Sequence, residues 1–149
     1  MQRLRSEYTA RRPWSFGAFG LIMVGLLATA VQGAELELLL NQETFAAGET
    51  LSLTASADPQ GDLVEVYVVL VLPSGDLFFL TPTGELTETP QSLTPEGLAE
   101  AATAEVFRHT LTGAEPLGSY AWLGVLTAHG TTDFVSEIAQ ALFFVEEGE

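Results

Sequence analysis

The sequence predicts an all-β domain: a two-sheet antiparallel sandwich of seven to eight strands, occupying residues 34–149. Three observations carry this. Asp62 to Leu72 is an eleven-residue run rich in Val and Leu that Pro73-Ser74-Gly75 stops, the composition of a long strand entering a turn. Glu49 to Ala57 alternates strictly, with Leu51, Leu53, Ala55 and Ala57 on one face and Thr50, Ser52, Thr54 and Ser56 on the other, as a half-buried antiparallel strand does. Short apolar runs follow one another between Gly- and Pro-containing turns, and no βαβ alternation interrupts them.

Ahead of these runs, residues 1–33 read as a secretory signal peptide. Arg3, Arg5, Arg11 and Arg12 stand against Glu7 for a net +3, then Phe16 to Val31 gives 16 residues without a charge, then Gln32-Gly33-Ala34. This is the order of basic, apolar and small-residue regions that export requires. Cleavage after Gly33, with Val31 at −3, is the first reading, and cleavage after Ala30 the second. The rival is an uncleaved signal anchor, for which a slightly longer apolar stretch would serve. Pro13-Trp14-Ser15 after the arginine pair departs from a twin-arginine pattern.

The first strand is expected over Glu35 to Asn41, with Phe45-Ala-Ala-Gly48-Glu49 as a turn before the alternating strand. Asp58-Pro59-Gln60-Gly61-Asp62 supplies the next turn, Pro fixing one φ and Gly admitting a positive one. Leu77-Phe78-Phe79-Leu80 pairs back on the long strand as a hairpin. Thr81 to Thr103, with Pro82, Pro90 and Pro95, reads as a long loop, and Leu98 to Ala104 as a helical turn or two on its Ala and Glu content. Strands resume at Glu105 to Thr112 and Ser119 to Ala128, and the last falls within Ser136 to Glu146. Phe143 and Phe144 cannot share one face of a regular strand, so a bulge or a covered outer face is expected there.

The order of these runs, and the stretch Gly118-Ser119-Tyr120-Ala121-Trp122, resemble immunoglobulin-like and fibronectin-type domains. In those domains a glycine and a corner tyrosine open the penultimate strand, and the tyrosine hydroxyl bonds back to the chain. The early Gly-Glu-Thr-Leu-Ser-Leu strand, the long Val-rich strand and the terminal Phe-x-Val strand match in order. The mature chain is thus similar to the Ig-like modules of bacterial exported and cell-surface proteins. What the resemblance implies is a non-catalytic role in binding, structure or adhesion at the cell envelope. It departs from antibody domains in lacking the disulfide, since Trp122 falls where the second cysteine would stand.

Charge and composition narrow the chemistry. From Ala34 onward one cation, Arg108, faces 19 acidic residues, a net −18, and no Lys occurs anywhere. Such a chain repels nucleic acid and anionic lipid headgroups and suits a basic partner or a cation. The segment from Ala34 is expected secreted, periplasmic or at the cell surface, with a membrane involved only if the signal segment stays attached. With no Cys there is no disulfide, thiolate site or thiol nucleophile, a pattern more natural for bacterial export than for the eukaryotic secretory route. His109 and His129 are the two possible imidazole bases, and neither accompanies a Gly-x-Ser-x-Gly elbow, so no catalytic residue is assigned. No cofactor is expected. Calcium is the one cation considered, with Asp58 and Asp62 in the first acidic loop and Asp133 in a later turn as its ligands, and this cation- or small-ligand-binding role is the alternative function.

A second candidate lies on the long strand. Val64, Val66, Val68, Leu70 and Leu72 share the core face, leaving Glu65, Tyr67, Val69 and Val71 on the other. An antiparallel sheet ordinarily wets its second face. Tyr67, Val69 and Val71 are therefore covered either by Thr81 to Thr103, the first reading, or by a partner protein or second copy bound at the face or at a sheet edge.

Overall fold

The structure, a computed structural model, describes residues 33–148, so the expected signal peptide falls outside the described residues. Among these residues there are nine strands and no helix: β1 (Glu35–Leu40), β2 (Thr44–Phe45), β3 (Thr50–Asp58), β4 (Val64–Val71), β5 (Leu77–Leu80), β6 (Leu86–Thr87), β7 (Ala102–Thr110), β8 (Gly118–Ala128) and β9 (Ala139–Val145). They form two sheets, β1-β3-β7 and β2-β9-β8-β4-β5-β6. Every pairing is antiparallel except β2 with β9.

The expected facings of β3 and β4 are those observed. Leu51, Leu53, Ala55 and Ala57 of β3 and Val64, Val66, Val68 and Leu70 of β4 are all buried. They pack against Trp122, Leu126, Phe143 and Val145 from β8 and β9. Removing a side chain such as Leu53 or Val68 wholly from water contributes about 1.5–3 kcal/mol. The hydroxyls on the other face of β3 pair along the small sheet, Thr50 with Thr110 and Ser56 with Thr103, both at 2.8 Å.

Four local expectations change. Phe45, expected in a turn, is a fully buried residue of β2, and its parallel pairing to Val145 ties the start of the domain to its last strand. Leu98 to Ala104 forms no helical turn. Its second half is the start of β7, where Ala102, Thr103 and Ala104 pair with Ala57, Ser56 and Ala55, so a ready strand partner outweighs the helix propensity of alanine. β9 is regular through Phe143 and Phe144, which face opposite ways: Phe143 is buried and Phe144 is 44% exposed. Neither a bulge nor a fully covered outer face occurs there.

The fourth concerns Thr81 to Thr103. Its residues 92–98 lie beside β4 rather than over it. Leu93 N–H donates to Val66 O at 2.7 Å, while Val64 and Leu98 exchange both backbone hydrogen bonds at 3.0 and 2.7 Å. The backbone groups of β4 that extend past the short β5 need partners, and this segment supplies them in the plane of the sheet. Leu93 and Leu98 turn inward against the core. The loop therefore extends the large sheet.

Sheet widths differ, and this shapes the interior. The small sheet ends at β7, whereas the large one continues past β4 to β5 and β6. On that flank Phe78 of β5 and Leu86 of β6 border a space that Phe107 and His109 of β7 also line.

Candidate functional site

Two surfaces follow from this architecture. The first is the outer face of the large sheet. Tyr67, Val69 and Val71 of β4 stand opposite Val125, Leu123 and Ala121 of β8, and Leu142 and Phe144 of β9 continue the row. On the other side Phe79 and Leu77 of β5 pair with Val69 and Val71. Tyr67, Val69 and Val71 are half-buried. Around them Leu77, Leu142 and Phe144 are 51%, 57% and 44% exposed. Val71, Ala121, Leu142 and Phe144 line a shallow hollow with Glu43 at its rim. The face thus carries apolar side chains on four strands, β5, β4, β8 and β9. The sequence reading found Tyr67, Val69 and Val71 but missed Leu77, Leu142 and Phe144, which share the face only through strand pairing.

One end of the same face is polar. Glu65 is 8% exposed, and its Oε2 accepts the Gly130 N–H at 2.7 Å and lies 3.2 Å from His129 Nδ1. The turn after β8 is held to β4 by this carboxylate.

The second surface is a cavity of about 270 Å³ between the sheets, on the flank where the small sheet stops. Leu70, Leu72, Phe78 and Leu86 of the large sheet line one side, and Leu51, Phe107 and His109 the other. Trp122 closes its depth, its ring centroid 5.0 Å from that of Phe107. The loop between β7 and β8 supplies Leu111, Glu115 and Pro116.

That loop is built on two side chains. Tyr120 O–H donates to Pro116 O at 2.6 Å, and its ring stacks on Phe143 at 4.8 Å. The hydroxyl bonds back to the chain as the resemblance of Gly118 to Trp122 led us to expect. Burial, then the Glu115 charge, raise the Tyr120 phenol above its ordinary value. Glu115 accepts hydrogen bonds from the backbone of Thr112 and Gly113 and approaches His109 Nε2 at 2.7 Å. Burial opposes ionisation of Glu115, but the His109 contact and these N–H groups outweigh it and lower its carboxyl to about 2. His109 is therefore a wall residue of the cavity paired to an ionised carboxylate.

The proposed calcium ligands do not converge. Among the described residues no group of three or more Asp, Glu or His stands close enough together to hold a metal ion, and Asp58, Asp62 and Asp133 form no such group. Asp58 is turned to its own loop, accepting the Gln60 backbone N–H at 3.0 Å and its side-chain amide at 3.2 Å. Asp133 N–H bonds to Thr131 Oγ1 within the turn after β8.

No protein-family model matches the chain, and no curated protein is similar to it. Solved structures of similar shape include the CARDB domain of a Pyrococcus furiosus protein, at 16% identity over 76% of this chain and 95% of that one, with a TM-score of 0.44. A Niemann-Pick type C2 protein from Japanese carpenter ant is similar at 10% identity over 76% and 93%, with a TM-score of 0.46. The DNA glycosylase AlkC of Pseudomonas fluorescens is similar at 10% identity with a TM-score of 0.45, over 83% of this chain and 36% of that one, so the chain spans about a third of its length. At such identities and scores none of these likenesses bears on activity.

Proposed function

We propose that this chain is an exported, non-catalytic Ig-like module that binds a partner protein at the cell envelope through the outer face of its large sheet. The Ig-like reading is supported by the facing of β1-β3-β7 against β9-β8-β4-β5, by the parallel pairing of β2 with β9, and by the Tyr120 to Pro116 hydrogen bond. The observation that carries the binding role is the exposed apolar row Leu77, Leu142 and Phe144 around Tyr67, Val69 and Val71. Contiguous apolar area of this kind is the usual mark of an interaction surface.

Charge argues for a different protein rather than a second copy. Two chains each carrying −18 beyond Ala34 repel, whereas a partner with an apolar patch rimmed by Lys and Arg is attracted. The edge of β7 is a poorer docking place. Val106 is an extra residue there, between Glu105 and Phe107, and Arg108 with Glu105 places charge along it. Both devices blunt an edge strand.

Full-length chain used as bait on an envelope fraction should retain a protein that is released by salt, and Leu142→Asp should fail to retain it while keeping the wild-type circular dichroism. Retention of the same protein by Leu142→Asp, or a dimer by light scattering that the substitution disrupts, would overturn the proposal.

A further inference from the structure

The two edges of the small sheet are built differently. At β7 an extra residue, Val106, and the charges of Arg108 and Glu105 interrupt the edge, whereas β1, at the other end, pairs with β3 along its whole length without a break. The ladder shows which backbone groups of β1 are spare. Asn41 N–H donates to Ser52 O at 3.2 Å and, on the far side of β3, Leu111 N–H donates to Glu49 O at 2.9 Å. Antiparallel bonding alternates along a strand. Glu35, Glu37 and Leu39 therefore turn their backbone groups to β3, and Leu36, Leu38 and Leu40 turn theirs to the open edge. Among the described residues no strand lies beyond β1 to take them. The side chains follow the opposite alternation: Leu36, Leu38 and Leu40 pack against the core, while Glu35, Glu37 and Leu39 are exposed on the outer side.

We propose that β1 is a second docking site, distinct from the outer face of the large sheet, which receives an extended segment of a basic protein as a fourth strand of the small sheet. Main-chain bonds to Leu36, Leu38 and Leu40 hold that segment. Its outward side chains stand opposite Glu35 and Glu37, where Lys or Arg gains a cross-strand pair and Asp or Glu is repelled. Its inward side chains are apolar and continue the row of Leu36, Leu38 and Leu40. The same charges act against self-association, because two copies of β1 joined antiparallel through Leu36 and Leu38 set Glu37 against its own counterpart.

The test uses the full chain labelled with nitrogen-15 and the end-capped probe Val-Val-Val-Lys-Val-Lys, whose antiparallel register sets its lysines opposite Glu37 and Glu35. In the free chain the amides of Leu36, Leu38 and Leu40 should exchange with solvent faster than those of Glu37 and Leu39. The probe should slow that exchange and move the three signals downfield, saturably. Replacing both lysines of the probe by threonine should weaken binding about two- to thirtyfold, the range of two opposite-charge cross-strand pairs. An N-methyl group on the third valine, whose N–H points at β1, should abolish binding; one on the second valine, whose N–H points away, should not. The double variant Glu35→Lys, Glu37→Lys, changed at two exposed positions, should lose the preference for lysine over threonine. The proposal is overturned if the three amides exchange as slowly as those of Glu37 and Leu39 without a probe, or if the lysine probe leaves their signals in place. It is equally overturned by equal affinity for the lysine and threonine probes, by N-methylation acting alike at both valines, or by a double variant that keeps the lysine preference.

Discussion

Glu65 Oε2 accepts the backbone N–H of Gly130 at 2.7 Å, across 65 residues of chain, from a side chain that is nearly buried on the outer face of the large sheet. The carboxylate joins the start of β4 to the β8–β9 connection, with His129 Nδ1 also 3.2 Å away. Truncating it leaves the Gly130 donor without its charged acceptor. Glu65→Ala should lower stability by about 1.5–3 kcal/mol, the range of a hydrogen bond to a charged group, measured by urea denaturation with unchanged m-value.

Directly across from Glu65, Thr127 is 2% exposed and its hydroxyl has no partner. Replacing a buried, unpaired hydroxyl by a methyl group of similar size removes a desolvation cost without removing a bond. Thr127→Val should therefore raise stability, by about 1 kcal/mol. A loss of stability would mean that the hydroxyl is satisfied in solution.

Glu115 sets an acid limit. Its folded-state value of about 2 lies below the ordinary 4.5, so the folded state holds the ionised form more strongly than the unfolded chain does. The stability it contributes is complete above 4.5 and is lost as pH falls towards about 2. Glu115→Gln should lower the melting temperature at neutral pH and reduce its fall between those two values, as followed by circular dichroism.

Gly124 lies opposite Val68 with β1 crossing over it. A Cβ built there would stand 2.8 Å from Leu36 Cδ2 and 3.2 Å from Leu38 Cδ1. Both are ends of flexible side chains, so Gly124→Ala should be tolerated with a small loss. Gly124→Val should cost about 1–3 kcal/mol through overpacking, seen as a lower denaturation midpoint.

Because Asp58, Asp62 and Asp133 form no ligand cluster, the melting temperature should be the same in EDTA and in millimolar calcium. A rise with calcium would show that the loops rearrange to gather these carboxylates.

Much of the sandwich was legible because period-two patterning is a local property. Leu51 to Ala57 and Val64 to Leu70 face the core by alternation alone, and the corner role of Tyr120 was readable from Gly118 to Trp122. The pairing of Phe45 with Val145 was not, because a two-residue parallel strand has no pattern of its own. Nor was the conversion of Ala102 to Ala104 into strand, which depends on the free backbone groups of β3.

The candidate sites divide in the same way. Sequence alone determined that Tyr67, Val69 and Val71 lie on one face of a strand whose other face is core, and that 19 acidic residues stand against one cation from Ala34 onward. Only the tertiary structure placed Leu142, Phe144 and Leu77 beside them and set residues 92–98 at the edge of the face instead of over it. It alone buried Trp122 with its indole N–H unpartnered, next to a cavity that residues of both sheets line. Alternation tells each strand which side is inward, but sheet order and width arise from hydrogen bonds between residues far apart in the chain, and those decide what each side meets.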